Sequence, residues 1–439
     1  MALKTSALER RLEEAREVGK QWLWRGVLSI ADQGLVSGSN FLLVIMFARW
    51  LAPGDYGAVS VGLSVFLLAA NFHHALLLEP MSVLAPRRFA ERRANYFAAV
   101  LRVHGGAVLA LAVLLALVAA GSHAAAPALG EALLGLSLST PLVLTFWVLR
   151  RICYVGGDPA TALRGGAGFF ACAGGGLVAV HTLGWRRAAA PFAVTGVAAL
   201  GACAALLPAV RPRLHWDKSA RGLLSEACGA HWSYGRWMVG VSLTYWLAHS
   251  AFAVLLSLSA GMSAAAELRA LENLATPILQ VTGALSLLLL PWVSGQTRLH
   301  GASYLGRYQR RAMLIAAAVT GGYLSGVTLF SAPLMRWLYG HHTYAALAGL
   351  APIVAAATLV RGISDLSVST ALKAAARPDA HFTASLAAAI LVLTGGWWTL
   401  KRWGVAGAAA TMLASDLLQA GVLAAYFIGL TRAAKGGRQ

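Results

Sequence analysis

The sequence predicts an all-α polytopic membrane protein of about twelve transmembrane helices in two sets of six. Three observations carry this. Of the 439 residues, 58% are hydrophobic and 12% charged, whereas a soluble domain carries about 25% charged residues. The apolar residues form long continuous runs rich in helix formers, not the short alternating segments of a porin-type barrel. Lys and Arg, 36 against 17 Asp and Glu, are shared unevenly among the connecting loops, as the positive-inside rule requires. A soluble globular enzyme and a disordered protein are both excluded.

The elements follow in chain order. Residues 1–22 form a charged N-terminal segment. Within it LKTSALERRLEEAREVGK, with Leu3, Leu8 and Leu12 as apolar positions, reads as an amphipathic helix on the cytoplasmic membrane surface. A span takes roughly 20 apolar residues. By that measure the first bundle, 23–210, holds spans near 24–48, 57–79, 96–120, 128–149, 160–183 and 189–210. A cytoplasmic connector, 211–233, carries charge together with Trp216 and Trp232. The second bundle, 234–430, holds spans near 235–259, 265–292, 312–335, 345–371, 382–400 and 404–430, and 431–439 is a basic cytoplasmic tail. The first span is too long, and its leader too charged, for a cleavable signal.

With both termini inside, 26 of the 36 Lys and Arg fall in cytoplasmic segments and 7 outside, while Arg102, Arg164 and Arg361 lie within spans. That asymmetry accounts for the net charge of +19 without nucleic acid as a partner. Six spans, a connector and six spans point to internal duplication. Faint support comes from Gly54 to Pro80 in the first half and Gly261 to Pro291 in the second, spacings of 26 and 30.

A charge near the bilayer centre costs about 2.5–3.5 kcal/mol on insertion scales, so each one asks for a reason. In the first span Arg25, Ser29, Asp32, Gln33 and Asn40 share one side at 100° per residue. Ala31, Gly34, Gly38, Phe41 and Ile45 share the other, where the Gly34–Gly38 pair predicts close helix packing. The polar side reads as a cavity wall with Asp32 as a proton or cation site, or else as a set of interhelical hydrogen bonds. Arg361 and Asp365 share a face of the tenth span. They read either as an anion contact with its neutralising partner or as a structural ion pair. Asp416, beside Ser415 and Gln419, has no basic neighbour on its own helix and is a proton site or a hydrogen-bonded structural acid. Arg102 and Arg164 lie within two turns of the cytoplasmic end, where their stems can snorkel or their guanidinium groups form a basic cavity rim.

The cysteines Cys153, Cys172, Cys203 and Cys228 have no metal-site spacing and read as packing residues. His73 and His74 read as packing or hydrogen-bonding groups, and no metal or other cofactor is expected. Glu79 reads as a local cap or a contact to Arg87 and Arg88. No GxSxG, HExxH or Walker pattern is present, and no outer loop is large enough to hold an acceptor glycan. The expectation is a protein that is not an enzyme.

The stretch from Ala31 to Pro86 resembles the Wzx-type polysaccharide flippases of the multidrug/oligosaccharidyl-lipid/polysaccharide exporter superfamily. Their first span ends in a pattern like ARxLxPxxYG, which stands here as Ala48, Arg49, Leu51, Pro53, Tyr56 and Gly57. LRALENLATPILQVTGALSLLLLP at 268–291 and GVAGAAATML at 404–413 are similar to further family segments. The resemblance implies two six-helix bundles around a central cavity, working by alternating access. The implied substrate is an undecaprenyl-pyrophosphate-linked oligosaccharide repeat unit, moved across the bacterial inner membrane for surface or exopolysaccharide assembly. Basic residues would meet the head group, with Arg25, Arg102, Arg164, Arg361, Asn40 and Gln33 as cavity candidates. Asp32, Asp365 and Asp416 are the candidates for H+ or Na+ coupling. Arg49, Pro53, Tyr56 and Gly57 are the motif loop, with a structural role. Membrane lipids and a polysaccharide polymerase or export complex are the expected partners. Three other readings remain: a cation-coupled multidrug exporter of the same superfamily, a lipid II flippase, for which two further spans are usual, and a non-transporting scaffold of a glycan assembly complex.

Overall fold

The computed structural model describes the backbone over residues 2–215, 221–300, 302–340, 344–375 and 377–436. Side chains are described within 24–432, save for 216–221, 284, 287, 288, 291, 298, 300–303, 341–343, 376 and 378. The amphipathic positions of 1–22, Trp216 and Lys218 of the connector, and the side chains of the tail after Arg432 therefore lie outside the described residues.

Every regular element among the described residues is helical. In the first half these are α1 (Ala2–Trp50), α2 (Pro53–Arg87, widened by a π turn at His74–Leu78), α3 (Arg93–His123), α4 (Pro127–Val155), α5 (Pro159–Thr182) and α6 (Ala190–Val210). The second half holds α7 (Arg221–His249), α8 (Phe252–Ser259), α9 (Met262–His300), α10 (Ala302–Leu329) and the short α11 (Ser331–Tyr339). It ends with α12 (Ala345–Ala374, with a π turn at Asp365–Ser369), α13 (378–403) and α14 (405–436). Proline at the first turn opens α2, α4 and α5, where its missing N–H costs nothing. Gly404, at φ 52°, divides α13 from α14, a left-handed conformation that glycine adopts without Cβ strain.

Nine helices among the described residues are long and apolar enough to cross a membrane, or ten if the bent pair α7–α8 is one span. The 54-residue stretch Asp379–Arg432 counts once in that number although Gly404 breaks it. Helix α9 is not among the nine. Twelve spans thus stay an expectation. One span is bent, and one boundary needs correction. The span near 235–259 bends by 49° between α7 and α8, and the span near 312–335 ends at Leu329, with α11 a separate helix.

In the first half α3 packs on α4, α4 and α5 on α6, and α1 on α5. In the second, α10 packs on α9 and α12, and α14 on α12 and α13. The halves meet along α2, which touches α7, α8 and α9, with further contacts from α3 to α7 and from α1 to α9 and α11. The outward face of α3, with Leu109, Leu114 and Leu117 exposed, has no neighbour among the described residues and is apolar, as a lipid-facing surface must be.

The packed face of α1 differs from the expected one. Asp32, Val36, Ser39 and Leu43 are buried, whereas a Cβ added at Gly34 or Gly38 would meet nothing within 4 Å. The Gly34–Gly38 pair therefore makes no close helix contact. The tight approach lies on α5 instead, where a Cβ on Gly166 would strike Asp32 Oδ1.

Candidate functional site

A cavity of about 430 Å³ opens among α1, α2, α4, α5 and α6, with Arg269 and Gln280 of α9 closing it from the other half. Gln33, Ser37 and Asn40 of α1 line it. Two of the expected contact residues, Gln33 and Asn40, are thus in its wall. Among the described residues the charged ones that line it are Arg150 and Arg269, the latter paired with Glu272 at 3.0 Å. Aromatic side chains, among them Phe66, Trp147 and Phe192, make up much of the remaining wall.

Asp32 lies behind that wall, fully buried. Its Oδ2 accepts from Arg150 Nε at 2.7 Å and from Tyr154 Oη at 2.5 Å. Arg150 also donates through Nη2 to Gln33 Oε1 at 3.0 Å, which ties the buried acid to the cavity surface. Asp32 Oδ1 has no partner. A buried carboxylate without a counter-charge would cost several kcal/mol, and the guanidinium answers that cost. Sequence reasoning missed Arg150 and Tyr154 because Arg150 adjoins Arg151 at the end of α4 and reads as a loop charge.

A second buried cluster sits in the other half. Arg361 on α12 grips Asp416 on α14, Nε to Oδ1 at 3.1 Å and Nη2 to Oδ2 at 3.0 Å. His249 at the end of α7 places Nδ1 3.6 Å from Asp416 Oδ1 and pairs through Nε2 with Gln419 at 3.1 Å. Gln419 donates on to Ser385 at 3.0 Å. The expected pairing of Arg361 with Asp365 is thus corrected: the partner of Arg361 comes from another helix, and Asp365 opens the π turn of α12. The arginines of both clusters stand on the fourth long helix of their half, α4 and α12.

The remaining candidates lie elsewhere. Arg25 reaches the α4–α5 connection near Gly157. Arg164 donates to Thr161 at 2.6 Å, one turn nearer the end of α5, beside the Asp158–Arg213 ion pair at 2.6 Å. Both belong to a basic rim at the end of the bundle that also carries Arg87, Arg88, Arg92 and Arg93. Arg102 is exposed on α3 and is not in the cavity wall. His73 pairs with His104 at 3.2 Å, and His104 with Thr145 at 3.0 Å. Glu79 accepts from Tyr234 at 3.4 Å and lies 3.8 Å from His74, not against Arg87 or Arg88. Among the described residues no group of His, Cys, Asp and Glu has the geometry of a metal site.

The motif loop joins the halves at the far end. Arg49 is exposed in the last turn of α1, and Pro53 opens α2. Tyr56 is buried, and its hydroxyl accepts from Asn273 Nδ2 of α9 at 3.1 Å. Asn273 also donates to Tyr339 of α11 at 3.3 Å. Gly57 lies against the Met262 carbonyl with no room for a Cβ. This is the start of α2 against the start of α9, the second long helix of each half.

No protein-family model matches the sequence, and no curated protein matches it. The fold is shared with solved transporters. A multidrug-resistance MATE family transporter of the MOP superfamily, in an inward-facing conformation, superposes with a TM-score of 0.71 at 13% identity, over 91% of this chain and 96% of that one. The lipid II flippase MurJ, inward closed, gives 0.68 at 13% identity, over 91% and 86%. A MOP superfamily transporter from Pyrococcus furiosus, whose reversed pocket polarity suggests a different function, gives 0.66 at 13% identity, over 94% and 95%. The chain thus has the fold of MOP superfamily transporters, a class that includes both drug exporters and a lipid flippase.

Proposed function

We propose that the protein is a flippase that carries an undecaprenyl-pyrophosphate-linked oligosaccharide repeat unit from the cytoplasmic to the outer face of the bacterial inner membrane. The observation that supports this is the pair of guanidinium groups in the cavity wall, Arg150 and Arg269, each held by a carboxylate outside the lining, Asp32 and Glu272. Guanidinium forks suit phosphate, and a polar cavity replaces water that the head group could not shed unaided. The basic rim then faces the cytoplasm, and the Tyr56–Asn273 contact closes the outer end. An entering phosphate competes with Asp32 for Arg150. Asp32 is then the candidate coupling acid of the first half, and Asp416, held by Arg361, that of the second. Alternating access follows from rocking the halves about α2. A polymerase or export complex would receive the product.

A drug exporter is the second reading, favoured by the aromatic side chains Phe66, Trp147 and Phe192 in the same wall. The test is the sidedness of lipid-linked oligosaccharide in spheroplasts depleted of the protein, read with an impermeant sugar-modifying reagent. Accumulation of reagent-protected material on the inner face supports the flippase. An unchanged, externally accessible pool removes it and leaves drug efflux or a scaffold role.

A further inference from the structure

Three guanidinium groups converge on the connection between α4 and α5, and each comes from a different stretch of the chain. Arg25 of α1 places Nη1 4.0 Å from where a Cβ on Gly157 would stand. Arg213, in the turn after α6, donates through Nη2 to Asp158 Oδ2 at 2.6 Å. Its Nη1 lies 3.3 Å from the place a Cβ on Gly156 would take. Arg164 of α5 donates through Nη2 to Thr161 Oγ1 at 2.6 Å, and that hydroxyl donates to Asp158 Oδ2 at 2.6 Å. Among the described residues Asp158 is the only carboxylate paired with any of the three arginines.

The shape of the connection brings them together. Gly157 has φ 75°, a left-handed conformation open to glycine, which turns the chain sharply between the helices. Asp158 then caps α5 by accepting from the Thr161 N–H at 3.0 Å, so the helix start is already filled. The unspent hydrogen-bonding capacity is on the arginines. Arg213 Nη1 is buried and has no partner. The Arg25 side chain makes no hydrogen bond or ion pair among the described residues, and Arg164 spends one of its several N–H groups.

One basic residue at a helix end follows from membrane orientation. Three that reach one loop with donors to spare do not. Three arginines less one aspartate leave two positive charges. A phosphate monoester carries about −1.5 to −2 near neutral pH, and its oxygens outnumber those of a carboxylate, so it answers both the charge and the free donors. A phosphodiester, with a single charge, answers neither in full.

We propose that Arg25, Arg164 and Arg213 form a binding site for a phosphate monoester, free or as the head group of a lipid. The site is separate from the polar cavity and independent of what that cavity carries. Asp32 stands seven residues along α1 from Arg25, about 10 Å, so phosphate held here stays outside the Asp32–Arg150 pair. Binding ties α1, α5 and the chain after α6 to one another.

Phenylglyoxal, which modifies free guanidinium groups, gives the test. Full-length protein in phosphatidylcholine vesicles is treated with the reagent. Adducts at Arg25 and Arg164 are followed by peptide mass spectrometry, with the exposed Arg402 as reference. Inorganic phosphate, dioleoyl phosphatidic acid and dioleoyl phosphatidylglycerol are added in turn. At about ten times its Kd a ligand should slow both modifications about tenfold and leave Arg402 unchanged. Protection by inorganic phosphate alone assigns the site to a free phosphate, and protection by phosphatidic acid assigns it to a lipid head group; either upholds the proposal. Losing one charge-assisted contact weakens binding roughly tenfold. In Arg164→Gln, a change at an exposed position, the same ligand concentration should therefore protect Arg25 only about twofold. Arg213→Lys, which keeps a cation beside Asp158 but removes the fork, should do the same. Undiminished protection of Arg25 in both variants would mean that the arginines act separately and would overturn the proposal. Equal protection by phosphatidylglycerol, the mark of diffuse attraction to a basic surface, would overturn it too, as would no protection by any of the three.

Discussion

Arg361 and Asp416 form a two-point ion pair between α12 and α14, with both N–O distances near 3 Å and the Asp416 side chain without solvent contact. Nothing in the spacing of the two residues, 55 positions apart, announces the pairing. It locks the second half at a depth where either charge alone would be costly.

Removing one partner should therefore destabilise more than removing both. Arg361→Ala strands the Asp416 carboxylate and should cost about 3–5 kcal/mol, whereas Arg361→Met with Asp416→Leu should recover most of that. Thermal unfolding of the purified protein in detergent decides it. A single variant as stable as the wild type would show that the pair does not hold the helices together. If the double variant is stable yet inactive in the sidedness assay, the pair serves transport rather than folding.

The two glycine environments on the α1–α5 side make opposite forecasts. Gly166→Ala should cost about 1–3 kcal/mol, because its methyl group must displace the Asp32 carboxylate. Gly34→Ala and Gly38→Ala add a methyl group to open space and should stay within about 0.5 kcal/mol of the wild type. The reverse order of thermal midpoints would mean that α1 packs through its Gly34–Gly38 face after all.

The far-end contact should set the balance between open and closed states. Tyr56→Phe removes the acceptor of the Asn273 amide, worth about 1 kcal/mol, or roughly a fivefold shift in population. Ser60→Cys, in the cavity wall, should become more reactive towards an impermeant thiol reagent added from that end when Tyr56→Phe is also present. An unchanged labelling rate would place the gate elsewhere.

Asp158 gives a pH test outside the spans. Partial burial pushes its carboxyl upward. Hydrogen bonds from Thr161 together with the Arg213 guanidinium outweigh that and hold it at about 2, below its ordinary 3.8. A depressed folded value stabilises above the unfolded one and is lost as pH falls through about 2. The destabilisation caused by Asp158→Asn should therefore be constant from about pH 5 to 9 and shrink below about pH 4. A penalty that varies across the neutral range would point to a different titrating group.

Much of the fold is legible in the chain because the bilayer imposes it. Backbone groups in hydrocarbon must be satisfied within a segment, so a long apolar run means a helix. Prolines at 53, 127 and 159 mark helix starts by their missing donor. The candidate site is legible only in part. Gln33 and Asn40 announce themselves as polar residues in an apolar span. Arg150 does not, since an arginine beside Arg151 at a helix end looks like an ordinary loop charge, and Arg269 likewise passes for an outer-loop residue.

The sequence alone determined the class: a membrane protein built of many long, apolar helices. Those features depend on local composition, which hydrophobicity and helix propensity read residue by residue. The tertiary structure decided the partners: Arg150 for Asp32, Asp416 instead of Asp365 for Arg361, and Asn273 for Tyr56. Each of these is a side-chain meeting between helices distant in sequence. Its energy depends on which faces the helices turn to one another, and helical periodicity leaves that choice open.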